Sequence, residues 1–177
     1  MSGSGIPEEL AESFQPIFGQ AVSVRPLRRE DLDIESAFVR GLSSETRYNR
    51  LLGGAIALTP EYLEHLTRVD YSREMALAAT VMLEDRETLI GVARYAREAD
   101  EHTCEFALVI ADAWQGIGIG RRILERLIAV ARARGFRVMV GEVLSTNHAM
   151  QGLAKKLGFR LRLHPEDATV IRVTLEL

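Results

Sequence analysis

One cysteine, one tryptophan and four histidines in 177 residues remove several kinds of chemistry before any motif is read. Cys104, being alone, cannot close an intrachain disulfide or build a thiolate zinc site. His65, His102, His148 and His164 show no metal-ligand spacing, so surface or capping roles are expected and no metal. No apolar run approaches the roughly 20 residues of a membrane span. The formal net charge of −3 offers no global basic field to nucleic acid or an anionic membrane. The opening MSGSG lacks a basic segment followed by an apolar one, and reads as a flexible leader or cloning scar. A cytoplasmic protein with neither nucleic-acid nor membrane partners is therefore expected.

What is present is an ordinary globular mixture, 47% apolar and 27% charged. Residues 1–21 read as a leader and N-terminal arm, and residues 22–177 as one domain. Val22 to Leu27 alternates like a strand, and a helical region follows from about Arg29 to Leu42. SSETRYNR, from Ser43, opens a second helix, and Thr59-Pro60 starts a third with threonine as cap and proline at its first position. MALAATVML, TLIGVARYAR and TCEFALVI then alternate, separated by the charged turns EDRE and EADEH, which predicts an antiparallel meander. A helix to Gly135, the strand FRVMVGEVL, a helix from Asn147 to Leu157 and two late strands complete a mixed α/β sheet.

The stretch WQGIGIGRRILERL carries the strongest local signal. Gly116, Gly118 and Gly120 stand at alternate positions just ahead of a helical pattern. Glycine there makes a tight turn, and it also lets an anion approach the free N–H groups of a helix start. The dinucleotide pattern G-x-G-x-x-G fails, because its third glycine falls on Arg121 or Ile123. The P-loop fails as well, since the chain has no Gly-Lys pair.

What remains, Q-x-x-G-x-G after an apolar strand and before a basic helix, resembles the GNAT superfamily of acyl-CoA-dependent N-acyltransferases. Their signature [QR]-x-x-G-x-[GA] is matched at Gln115, Gly118 and Gly120, and a second family motif is similar to NHAMQGLAKKLGF from Asn147. SSETRYNR, VDYSREMALAA and EFALVIADAWQGIGIG are similar to stretches of the acetyltransferase domain of Pat-type bacterial protein lysine acetyltransferases. The resemblance implies a GNAT fold, a mixed and mostly antiparallel sheet of about six to seven strands flanked by helices. It implies acetyl-CoA as cosubstrate, and a cofactor site at Gln115, Gly116, Ile117, Gly118, Ile119, Gly120 and Arg121. Asn147, at the second motif, is either a helix cap or a further cofactor contact.

Acetyl transfer to an amine needs a neutral nucleophile, and a lysine with a pKa of about 10.4 is almost wholly charged at pH 7. Glu105 is the candidate base. By periodicity it shares a strand face with Ala107 and Val109, which fits an exposed strand end, an ion pair or a used carboxylate. The Pat-type resemblance implies the last. It also implies an oxyanion donor from the backbone N–H of Val109 or Ile110. Many relatives carry a tyrosine as general acid where this chain has Ala154, so no acid is assigned. The expected activity is direct acetylation of a primary amine, with protein lysine first, a small amine second, and a non-catalytic acetyl-CoA sensor as the third reading. A monomer or homodimer is expected. Glu30, Asp31, Asp33 and Glu35 suit a cationic acceptor or a solvated helix start equally.

Overall fold

Alternating apolar residues over the middle of the chain form three long strands joined by short turns, as their period requires. The structure, a computed structural model, describes residues 5–16 and 19–177. Met1–Ser4 of the leader and Ile17 and Phe18 of the arm lie outside the described residues. The strands are β1 (Glu12–Phe14), β2 (Val22–Pro26), β3 (Glu74–Leu83), β4 (Arg86–Arg97), β5 (Thr103–Ile110), β6 (Val138–Leu144), β7 (Arg160–Leu163) and β8 (Val170–Glu176). They make one sheet in the order β1-β2-β3-β4-β5-β6-β8-β7, antiparallel except where β5 meets β6. The helices are α1 (Leu32–Gly41), α2 (Ser44–Arg50), α3 (Pro60–Thr67), α4 (Ile119–Ala133) and α5 (His148–Lys156). Among the described residues no helix is long and apolar enough to cross a membrane.

Eight strands exceed the expected six to seven, and the addition is β1 in the N-terminal arm. Three residues are too few to show a period. β1 pairs antiparallel with β2 from Glu12↔Val24 to Phe14↔Val22, and distant side chains add to it: Glu12 lies 3.5 and 3.6 Å from Arg122 and Arg126, and the Arg122 guanidinium stands 5.5 Å over the Phe14 ring.

Two apolar layers sandwich the sheet. Ile119, Ile123, Leu124 and Leu127 recur at helical spacing on α4 and are fully buried against Met75, Leu77, Tyr95 and Cys104. On the opposite face Phe38 and Leu42 pack with Leu27, Ala76, Ala78 and Val92. The acidic start of the first helical region is split by this packing. Asp31 is buried and takes two 2.8 Å hydrogen bonds from Arg25. Burial pushes the Asp31 carboxyl up, but the bonds from Arg25 and from the Arg28 N–H outweigh it, and its pKa lies below the usual value. Glu35 points into the interior at 2% exposure, while Glu30 and Asp33 stay at the surface.

The feature that positions the site is a parting of strands. β5 and β6 run parallel and pair only from Thr103↔Val138 to Glu105↔Val140. Beyond Glu105 the two strands separate, leaving the second half of β5 bonded on one side only. Gly141 fits there because Phe106 fills its space: a Cβ on Gly141 would fall 2.5 Å from the ring.

Candidate active site

A cleft of about 1000 Å³ follows the parted strands. It is bounded by the second half of β5, the glycine turn, the start of α5 and one face of α2. The positions expected from the sequence at Glu105, Val109, Ile110, Gln115, Gly116, Gly118, Gly120, Arg121 and Asn147 all border it. Ile117 and Ile119 do not line it: their side chains turn inward, Ile119 fully buried and Ile117 partly buried against the same core.

The glycine turn has the geometry for both purposes considered above. Gly116 and Gly118 have φ of +77° and +93°, which an L side chain adopts only with strain. Beyond them lies open space, with nothing within 4 Å of a Cβ built on either. Gly120 is helical, and a Cβ there would make ordinary contacts of 3.5 Å to Leu108 and Ile110. The first backbone bond of the turn into α4 is Arg122 N–H to Gly118 O, 3.1 Å. Among the described residues the N–H groups from Gly116 through Arg121 have no protein acceptor, so they form a bare cradle at the positive end of a helix of 15 residues. That donor set fits a pyrophosphate. The flanking arginines are both engaged within the protein. Arg121 pairs with Glu125 at 2.8 Å, and Arg122 is drawn towards Glu12 and Phe14. Lys156, at the end of α5, lines the cleft instead.

Gln115 clamps the turn from within. Its side-chain amide donates to Ile110 O at 2.9 Å and to Thr46 Oγ1 at 3.2 Å. Asp112 completes the clamp and was not foreseen. Its carboxylate accepts from Ser43 N–H, Ser43 Oγ and Thr46 Oγ1 at 2.9, 2.6 and 2.7 Å. The Ser43 bonds hold its carboxyl down at about 2. The start of α2 is thereby fastened to the loop that carries the glycines. Asn147 caps α5 through a 3.1 Å bond from Met150 N–H, and its residue also borders the cleft.

Backbone polarity along β5 follows from its pairing. Glu98 N–H donates to Thr103 O and Ala111 N–H to Ile90 O, at 2.9 and 2.8 Å. With an unbroken register from Cys104 to Ile110, the N–H groups of Glu105, Ala107 and Val109 face β4. Those of Leu108 and Ile110 face the gap. Of the two expected oxyanion donors, Ile110 is therefore aimed into the cleft and Val109 is directed into the sheet. The local irregularity lies one strand away, between Ala79 and Thr80 of β3 opposite β4.

Glu105 stands at the last rung of the β5–β6 ladder, exposed at the open end of the cleft. Partial burial of the carboxyl raises its pKa, and Glu142 and Glu98 raise it further against the opposing pull of Arg172. Cys104, its neighbour, is 0% exposed and faces the opposite layer, where burial pushes its thiol up to about 12. Ala154 is also fully buried and belongs to that core. Tyr71 is structural, its hydroxyl donating to Leu27 O at 2.6 Å.

Comparison with known proteins agrees with this geometry. The profile of the Acetyltransferase (GNAT) family matches residues 45–159. The acetyltransferase PA5475 of Pseudomonas aeruginosa is 39% identical over 153 residues, covering 86% of this chain and 82% of that one. The acetyltransferase Pat of Mycolicibacterium smegmatis is 32% identical over 79% of this chain, which spans 41% of that longer protein. The crystal structure of the GNAT domain of S. lividans PAT superposes with a TM-score of 0.87 at 26% identity, over 98% of this chain and 100% of that one. With the strand parting, the bare helix start and a family match over most of its length, this chain belongs to the GNAT family of acetyltransferases.

Proposed function

We propose that the protein moves an acetyl group from acetyl-CoA directly to a primary amine, with Glu105 receiving the amine's proton. The observation that carries this reading is the position of Glu105 where the β5–β6 ladder ends, beside a gap into which the Leu108 and Ile110 N–H groups point. Acetyl-CoA, when bound, supplies the acyl group as an activated thioester. The N–H cradle from Gly116 through Arg121 and the Lys156 ammonium suit its phosphates. The gap-facing N–H groups suit an oxygen on which negative charge develops, and a donor so placed contributes about 3 kcal/mol in well-studied enzymes. Glu98 and Glu142 draw a cationic amine towards Glu105, and by raising its pKa they make it a better base than a free carboxylate. The buried, high-pKa thiol of Cys104 supports direct transfer over a covalent acetyl-cysteine route.

Protein lysine as the acceptor is supported by the likeness to the PAT domain and by the acidic mouth around Glu105. A second reading, a free amino acid, is favoured by one side chain, Arg50, whose surroundings are described below. The transfer reading is tested with a deacetylated lysate and a panel of small amines, each incubated with acetyl-CoA and either wild type or Glu105→Gln. Acetylated products that disappear with the variant support it. Acetyl-CoA binding without turnover of any amine would replace it with a sensor.

A further inference from the structure

The direct-transfer reading leaves one charged cluster without a task. On the α1–α2–α3 side of β4 and β5 lies a cavity of about 40 Å³, room for a carboxylate or a few waters. Ala107 and Val109, on the same face of β5 as Glu105, border both this cavity and the cofactor cleft. Most of its wall is apolar, with Leu42, Ile56, Leu58 and Leu66, and four charged side chains, Glu35, Arg47, Arg50 and Arg94, break that wall; Arg47 donates to the Arg40 and Leu42 carbonyls.

Glu35 and Arg94 form a loose pair. Glu35 Oε1 lies 3.6 Å from Arg94 Nη2, which also donates to Leu66 O at 3.1 Å. Glu35 is 2% exposed, and its other oxygen, Oε2, is buried with no hydrogen-bond partner. Such an atom is costly to bury unless something reaches it. Arg50 lines the cavity and the cleft alike. Its guanidinium makes no hydrogen bond or ion pair among the described residues. Burial, and then the nearby Arg94, lowers its pKa against the opposing pull of Tyr62, Glu35 and Glu105, and the half-buried guanidinium stays open to the cleft.

The charges decide what is missing. Three arginines line the cavity against one carboxylate, which leaves an excess of positive charge that grows when Glu35 holds a proton. Burial raises the Glu35 pKa to about 7, so a protonated Glu35 is accessible and could itself donate to an anion. A planar guanidinium with free N–H groups matches a carboxylate in two parallel bonds. Arg50, Ala107, Val109 and Glu105 line the same cleft, so a carboxylate seated on Arg50 brings an amine one carbon away into the space that Glu105 borders. The side chain of such a molecule then has the wide cleft.

We propose that Arg50, backed by Arg94 and Glu35, holds the carboxylate of the acetyl acceptor, and that the acceptor is a free α-amino acid. This rests on the direct-transfer reading of the same site. The test uses the full chain and three probes, L-leucine, L-methionine and L-phenylalanine, each compared with its own amide. Binding is read by calorimetry with coenzyme A present, and turnover by thiol release from acetyl-CoA. The expected result is that at least one acid binds and reacts about 10-fold or more better than its amide, as a charge-assisted pair requires. Arg50→Met abolishes that preference and Arg50→Lys keeps part of it. The binding preference persists in Glu105→Gln, which separates a wrong base assignment from a wrong acceptor assignment. Equal behaviour of acids and amides, or no binding of any acid while a terminally blocked lysine peptide is acetylated, would overturn the proposal. The wild-type comparison alone decides it, whether or not the Arg50 variants fold.

Discussion

Replacing Glu35 by glutamine is expected to stabilise the fold above neutral pH and to do progressively less as the solution is acidified. The carboxyl is 2% exposed, one oxygen is unpartnered, and its ion pair with Arg94 is long at 3.6 Å. Burial raises its pKa from the ordinary 4.5 to about 7, and the attraction of Arg94 does not offset this. Because the folded value is raised, the folded state holds a proton that the unfolded chain releases. Stability from this group is full below pH 4.5 and is lost as pH rises through about 7. At about 1.36 kcal/mol per unit, the wild type gives up roughly 3 kcal/mol across that window. Glutamine keeps the shape and does not titrate, so the gap between the two proteins isolates this group from every other. Urea denaturation at half-unit steps between pH 5 and 8.5 measures it. A wild-type deficit that grows by about 2–3 kcal/mol over that range agrees with the reasoning. A gap that stays constant with pH would refute it, and would mean that the carboxylate is satisfied when charged.

Gly118→Ala at φ +93° is expected to cost about 1–2 kcal/mol and to weaken acetyl-CoA binding, whereas Gly120→Ala, helical and in ordinary contact, is expected to change thermal stability little. Calorimetry and thermal melts of the pair distinguish a turn that needs its backbone angle from one that needs only small size. Asp31→Asn leaves buried Arg25 with the Glu87 carboxylate and the Pro26 carbonyl, and a loss of about 3–5 kcal/mol in chemical denaturation is the expected cost of breaking such a pair. Asp112→Asn removes the charge that receives Ser43 and Thr46, so the KM for acetyl-CoA should rise while kcat at saturation changes less. An unchanged KM would remove Asp112 from the clamp.

Elements with a local cause could be read from the sequence. Thr59 caps α3 by accepting from Tyr62 N–H at 3.2 Å, as the Thr-Pro pair indicates. The meander follows from its alternation, and α4 from its apolar spacing and its end at Gly135, φ +83°. Features whose cause lies far along the chain could not. The edge strand β1, paired with β2, also meets arginines of α4 more than a hundred residues away, and those contacts occupy Arg122. Asp112 looks like an ordinary loop residue until α2, 66 and 69 residues earlier, is brought to it. The acidic helix start reads as one cluster, but the helical turn sends Asp31 to Arg25, Glu35 inward and Asp33 to solvent. The direction of the Val109 and Ile110 N–H groups depends on which edge of β5 pairs with β4, a matter of register that composition does not carry.

The measurement that bears most directly on the central claim is turnover by wild type and Glu105→Gln on one accepted amine, over pH 6 to 9, with acetyl-CoA affinity measured in parallel. The account predicts a loss of about 10²–10⁴-fold in kcat at neutral pH, partly recovered as rising pH supplies neutral amine, with acetyl-CoA binding unchanged. A variant that turns over as fast as wild type, with the same pH profile, would contradict it.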